Sequence, residues 1–222
     1  INGQDGIQSH TSTIWKCLKH YKIPTLIFIN KMDISYKTKE ELMNDLKMHF
    51  SSNCIDFKCK DAEDELSMLN EDIMNQYLET EKIDSSLLHQ AIFKRECFPV
   101  FFGSALKIQG IEDLMDAIID LSFIQDYPED FGARVYKISS DDQGNRLTHV
   151  KITGGVLNAK DKIDSDEKVD QIRLYNGKQF EMIQTAYPGM ICALKGLNNY
   201  EVGQGLGFES DTTKPLLNAY MN

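Results

Sequence analysis

No Gly-x-x-x-x-Gly-Lys-Ser/Thr occurs in this sequence of 222 residues. Nothing in it therefore cradles a polyphosphate with backbone amides and a lysine. Gly177-Lys178 is followed by Gln179 and lacks the earlier glycine. Paired cysteines are missing too. Cys17, Cys54, Cys59, Cys97 and Cys192 make an odd number, and no Cys-x-x-Cys joins any two. That reads as reduced thiols in a cytoplasmic protein, and against a disulfide or zinc framework. The histidines (His10, His20, His49, His89, His149) are scattered, so no metal ligand set is expected. No apolar run approaches the roughly 18 residues of a membrane span, and no charged-then-apolar leader is seen, so no membrane partner is expected. A basic footprint is absent as well. Residues 1–130 carry 13 Lys+Arg against 23 Asp+Glu, and residues 131–222 carry 11 of each. An acidic first part does not look like a sequence-independent nucleic-acid binder.

What the sequence does contain is organised around Pro24-Thr25-Leu26-Ile27-Phe28-Ile29, followed by Asn30-Lys31-Met32-Asp33. The first six residues are a short apolar run of the kind that forms a strand buried on both faces of a parallel sheet. In open α/β sheets ligands sit at the carboxyl ends of the strands, which places Asn30 to Asp33 on a binding edge. Asn-Lys-x-Asp at that place resembles the guanine-reading motif of GTP-binding proteins. Guanine offers two adjacent donors, the ring N–H and the exocyclic amine, and a carboxylate is a two-oxygen acceptor that meets both. Asp33 is the residue assigned to that pair. Adenine lacks those donors, and a site built on such bonds discriminates by about 10⁴. Asn30 braces the loop in this reading, and the aliphatic stem of Lys31 lies along the purine face. The plainer alternative is a strand-to-helix turn, which Asn and Asp favour anyway.

A second apolar run, Phe98-Pro99-Val100-Phe101-Phe102, ends in Gly103-Ser104-Ala105-Leu106-Lys107. A Ser-Ala loop after a neighbouring strand matches the remaining guanine-contact motif, in which a backbone N–H meets the purine carbonyl oxygen. Small residues suit that close approach. Ser104 and Ala105 therefore join Asn30, Lys31 and Asp33 as the candidate guanine site; no catalytic residue is assigned.

The rest of the chain follows in order. Residues 8–21 are expected to be helical, with Ile14, Trp15, Leu18 and Tyr21 apolar. Strand 25–30 comes next. Thr38-Lys39-Glu40-Glu41 fits a capping box before a helix to about Phe50 that presents Leu42, Leu46 and Phe50 on one face. Residues 51–96 are acidic and look mostly helical, with Asn70 and Asp84 or Ser85 as caps. The group Asp61, Glu63, Asp64 and Glu65 lacks the glycine and spacing of a calcium loop, so it reads as a solvated helix face or loop. Helix 110–122 is expected to put Ile111, Leu114, Met115, Ile118, Ile119 and Leu121 into the core. A linker is expected at 125–130. Beyond it the period falls to two in 133–138 and 147–152, joined by the turn Asp141-Asp142-Gln143-Gly144-Asn145. Asp141 to Gly144 is the only Asp-x-x-Gly, and it reads as turn chemistry. Gly154-Gly155, Asn176-Gly177, Pro188-Gly189 and Gly203-Gln204-Gly205 punctuate further short strands, the pattern of a small β-barrel.

Across essentially its whole length the chain resembles the translational GTPases of the elongation factor G type, and within them looks most like the tetracycline ribosomal-protection proteins. Asp5-Gly6-Ile7-Gln8 with Thr11, Ile23-Pro24-Thr25 with Phe28-Ile29-Asn30-Lys31-Met32-Asp33, and Asn70-Glu71-Asp72 to Gln76-Tyr77-Leu78 carry the likeness. So do Gly103-Ser104-Ala105 to Gly110-Ile111-Leu114, Val135-Tyr136-Lys137-Ile138, Arg146-Leu147, Gly155-Val156-Leu157 and Pro188-Gly189-Met190-Ile191 through Gly196-Leu197. The resemblance implies the C-terminal part of a P-loop-type GTPase domain, an α/β parallel sheet, over 1–126 with a helical insertion at about 36–97. An all-β barrel, translation-factor domain II, is implied over 131–213, and the start of a further domain over 214–222, where Pro215-Leu216-Leu217 carries the likeness. Two departures stand out. Met190 takes the place of an acidic residue after the barrel glycine, and Val202-Gly203-Gln204-Gly205-Leu206 replaces Gly-Asp-Thr-Leu.

On this resemblance the chain is expected to be a fragment that supplies guanine specificity and does not itself hydrolyse GTP. GTP and Mg2+ belong to the parent, with nothing expected bound to the fragment. The parent's partners are GTP or GDP and the ribosome, both rRNA and ribosomal proteins, and its work is translocation or tetracycline protection. The short stretch between Asp33 and Phe98 favours protection. A non-enzymatic α/β-plus-barrel adaptor for a protein or RNA is the rival reading. An initiation or release factor of the same superfamily is another.

Overall fold

The computed structural model describes residues 1–122, 126–163 and 167–210. The chain divides into two compact units, 1–124 and 125–222. In the first, the apolar runs form strands β1 (Ile27–Ile29) and β3 (Phe98–Phe102), which lie side by side in parallel, with Ile27 opposite Val100 and Ile29 opposite Phe102. Their central residues are sealed: Ile29 and Val100 are fully buried, as a strand covered on both faces requires. A third strand, β2 (Cys54–Asp56), pairs on the other side of β3, giving the order β1-β3-β2.

Helix α1 (Ser9–His20) precedes β1, and α2 (Lys39–His49) follows it. Thr38 caps α2 in a complete capping box: its hydroxyl accepts from Glu41 N at 3.2 Å, and Glu41 accepts from Thr38 N at 2.8 Å. Leu42 and Leu46 are buried with Trp15, Ile29, Phe98 and Val100. Helices α3 (Ala62–Ser67), α4 (Glu71–Thr80) and α5 (Ser85–Phe93) occupy the acidic stretch, with Asn70 and Asp84 as side-chain caps of the last two. The carboxylates of 61–65 serve this helical region. Glu65 pairs with Lys47 at 2.7 Å, and Asp64 accepts from the Tyr77 hydroxyl at 3.0 Å.

The structure adds to the sequence reading at 51–96, which is mostly helical but also holds the strand Cys54–Asp56, and it corrects the reading of the last helix. A strand of three residues carries no readable period, and its burial comes from pairing with β3. Helix α6 (Ile111–Leu121) buries only Ala117, while Met115, Ile118 and Ile119 are 52%, 42% and 71% exposed. Helical periodicity identifies an apolar side, but the neighbours decide whether it is covered, and α6 packs chiefly beside α5.

The second unit is all-β. It comprises β4 (Gly132–Ser140), β5 (Arg146–Gly154), β6 (Leu157–Asn158), β7 (Gln171–Asn176), β8 (Gln179–Ile183), β9 (Thr185–Ala186), β10 (Ile191–Lys195) and β11 (Gly205–Gly207). Six form an antiparallel sheet in the order β11-β4-β5-β10-β7-β8, and β6 pairs with β9. Leu157 and Ala186 of that pair share one core with Val135, Val150, Ile172 and Leu194 of the sheet. The β4–β5 connection is held by Asp141, which accepts from Gln143 N and Asn145 N, with Gly144 at φ +79°. Asp141 also pairs with the buried Arg173 at 3.1 Å. Asp-x-x-Gly is thus a turn here. Residues 214–222, read as the start of a further domain, lie outside the described residues, as does Gln125 of the linker. Among the described residues no helix is long and apolar enough to cross a membrane.

Candidate functional site

The parallel register sets the site. Because Ile29 faces Phe102, the strands end level, and Asn30 and Gly103 leave the sheet side by side. The two loops are then laced by backbone: Gly103 N donates to Ile29 O at 2.9 Å, and Met32 N donates to Gly103 O at 3.0 Å. No side chain fits at Gly103, since a Cβ there sits 2.1 Å from the Gln109 carbonyl oxygen and 2.9 Å from the Phe28 ring.

Asn30 completes the lacing. Its Oδ1 accepts from Lys31 N at 2.7 Å and from Ala105 N at 2.8 Å. One side chain thus ties the Asn-Lys-x-Asp loop to the Ser-Ala loop, 75 residues apart in sequence. It also engages the Ala105 N–H, one of the backbone donors of the Ser-Ala loop, so that a base drawing on that donor shares it with Asn30. Lys31 adopts φ +64°, a left-handed conformation that costs a side-chain-bearing residue energy and concentrates at functional sites. Ser104 is buried, donating its N–H to Gln109 O at 3.0 Å.

Asp33 stands at the centre. Its side chain keeps 12% of its exposure although the residue as a whole is open to solvent, so the carboxylate is largely covered while its backbone is wet. Two donors reach it: the Ser104 hydroxyl, and the Lys107 ammonium at 3.4 Å. Both favour the ionised form and, chiefly through Ser104, hold the carboxyl below the usual carboxylate range. Lys107 is the residue that sequence reasoning left without a role. Its signal was only its place three residues after Ser104, where the tight turn closed by Lys107 N to Ser104 O folds it back. The structure thus brings Asn30, Asp33, Ser104 and Ala105 together with Lys31 beside them, and the group is built to accept hydrogen bonds at one ionised carboxylate.

A pH dependence follows. The folded-state pKa of Asp33 is depressed, so its ionised form contributes stability above the ordinary carboxylate range. That contribution is lost as pH falls through the lowered value. Carbon-detected NMR titration of the carboxyls is expected to show Asp33 titrating below the free residue. Ser104→Ala is expected to move it up more than Lys107→Met, and the reverse order would reassign the dominant donor.

No group of three His, Cys, Asp or Glu suited to a metal occurs among the described residues.

Two family models match the chain: the elongation factor Tu GTP binding domain over residues 1–123, and elongation factor G domain 2 over 130–207. The tetracycline resistance protein TetP of Clostridium perfringens is 31% identical over 96% of this chain and 38% of its own length. Elongation factor G of Ureaplasma parvum is 21% identical over 98% of the chain and 42% of its own. The tetracycline resistance protein TetM of Ureaplasma urealyticum is 27% identical over 88% and 34%. A crystal structure from Thermus thermophilus superposes with a TM-score of 0.75 at 15% identity, covering 97% of this chain and 40% of that one. The chain therefore spans about two fifths of the length of these relatives.

Proposed function

We propose, from the premise that the chain belongs to the elongation factor Tu GTP-binding family and carries an elongation factor G domain 2 behind it, that it supplies the guanine reading of a ribosome-acting GTPase. The observation that carries this is the Asn30 side chain, which joins the two loops around the ionised Asp33. In this reading Asp33 accepts from the ring N–H and exocyclic amine of guanine, the Lys31 stem covers the purine face, and the Ser104-Ala105 loop meets the purine oxygen. The residues present fit the base. They do not fit the phosphates or Mg2+, since the chain has no glycine-lysine phosphate cradle. No hydrolytic step is derived from them, and phosphate, metal and hydrolysis are assigned to the rest of the whole protein.

Among ribosome-acting GTPases, tetracycline protection is the preferred assignment over translocation. It is supported by the higher identity to TetP than to elongation factor G and by the short stretch between Asp33 and Phe98. The second reading is a non-enzymatic adaptor that keeps a vestigial base pocket. One experiment separates them: calorimetric titration of the whole protein, from its complete reading frame, with GDP and ADP. The GTPase reading expects GDP to bind with a preference over ADP of about 10⁴. Absence of GDP binding would transfer the assignment to the adaptor.

A further inference from the structure

A cavity of about 700 Å³ opens beside Phe98, at the end of β3 away from Gly103 and the guanine loops. Trp15, Phe50 and Phe98 line it, and Lys19, Lys22, Lys94 and Arg95 surround it. This is a concentration of positive charge in a region that is otherwise acidic. No carboxylate of the described residues forms an ion pair with any of these four cations. Lys19 lies in the last turn of α1 and Lys94 caps the C-terminus of α5, where cations also complement helix dipoles. Lys22 and Arg95 lie beyond the helices, and that explanation does not reach them.

Arg95 is held firmly. Its guanidinium lies 5.0 Å from the Trp15 ring and 4.9 Å from the Phe98 ring, and it donates to Ile23 O and, at 2.9 Å, to the Thr25 hydroxyl. Both Lys22 and Arg95 adopt left-handed backbone conformations, with φ +53° and +61°. Each closes the end of its helix, with Ile23 N donating to Leu18 O at 2.9 Å and Glu96 N to Ala91 O at 2.8 Å, and this holds both cations at the rim of the cavity.

We propose that this cavity binds a short acidic peptide segment of a partner protein, one that places an apolar or aromatic side chain among its carboxylates. The apolar side chain enters beside Phe50 and the 51%-exposed Phe93, and the carboxylates meet Lys22, Lys94 and Arg95. Two observations favour a peptide over single-stranded RNA. Base stacking needs bare aromatic faces, whereas Trp15 is stacked on Phe50 at 4.6 Å, also carries Arg95, and is only 9% exposed. An RNA strand also brings a charge with every phosphate along its path, which the acidic balance of residues 1–130, 13 Lys+Arg against 23 Asp+Glu, opposes more than the few carboxylates of a short peptide.

Trp15 is the only tryptophan of the chain, so its fluorescence reports occupancy. The experiment titrates the whole chain with a set of acetylated, amidated hexapeptides carrying three Asp or Glu and one central Leu or Phe. Controls are the same peptides with Asn or Gln for the acids, and hexauridylate. A saturable change is expected with the acidic peptides, weakening as salt is raised. It is expected to weaken about tenfold or more in the double variant Lys22→Glu, Lys94→Glu, on the scale of two lost charge contacts. Both positions are exposed, and an unchanged thermal melt verifies that this variant stays folded. Equal binding of the Asn/Gln peptides, tighter binding of hexauridylate, or no saturable response to any acidic peptide would overturn the proposal.

Discussion

Asp33→Asn in the whole protein is expected to weaken GDP binding by about 10- to 100-fold, the scale of one bidentate base contact. Xanthosine diphosphate is expected to gain as GDP loses. The amide keeps one acceptor but turns its other group into a donor, which faces the guanine exocyclic amine as a repulsive pair and the xanthine carbonyl as a match. The substitution also releases Lys107 from its ion pair. That pair is half exposed at the lysine, so its loss contributes little to folding. Calorimetry with both nucleotides reads the result directly. Unchanged GDP affinity would remove Asp33 as the base reader, and equal losses for GDP and xanthosine diphosphate would point to a collapsed loop.

Ile29→Ala is expected to destabilise the first unit by about 2–5 kcal/mol, the range for truncating a fully buried isoleucine. Ile29 has no solvent exposure and packs in the cluster of Trp15, Leu42, Leu46, Phe98 and Val100. Among the described residues the sheet of this unit has three strands, and a cavity at Ile29 opens where β1 meets β3 and the helix residues Trp15, Leu42 and Leu46. Its carbonyl also accepts from Gly103 N, so a loosened strand loosens the base site as well. Urea denaturation followed by circular dichroism measures the effect. A loss below about 1 kcal/mol would mean that the core relaxes around the cavity.

The parts of this fold that were legible in the sequence are those whose cause is local. Thr38 and Glu41 announce a helix start because the capping box is a four-residue device, and it forms as read. Asp141 to Gly144 reads as a turn because the aspartate and glycine do their work within the hairpin. Phe98 to Phe102 announces a buried strand because its apolar run is long enough to exclude an exposed one. Illegible features depend on neighbours distant in sequence. Nothing in Cys54-Ile55-Asp56 marks it as a strand until β3 lies alongside. Met115, Ile118 and Ile119 have the spacing of a core face, yet no spacing states what will cover them. At the site, Asn30 and Ala105 could be matched to a motif, but their hydrogen bond, and the arrival of Lys107 at Asp33, required the register of β1 on β3.

That register has a consequence for how the chain is made. The central strand of the first sheet is the last of the three to be synthesised, since β3 lies between β1 and β2 but follows both. At about 5–20 residues per second, the Asn30–Asp33 segment leaves the peptide exit about 3–15 seconds before the strand that will hold it. Throughout that interval the edge of Ile27 to Ile29 that will meet β3 stays open, although residues 1–3 are already made to line the other edge, and Asn30 has no Ala105 to hold. Assembly of the base pocket therefore waits on a long-range pairing, and β1 is the part of it that waits with one apolar edge open.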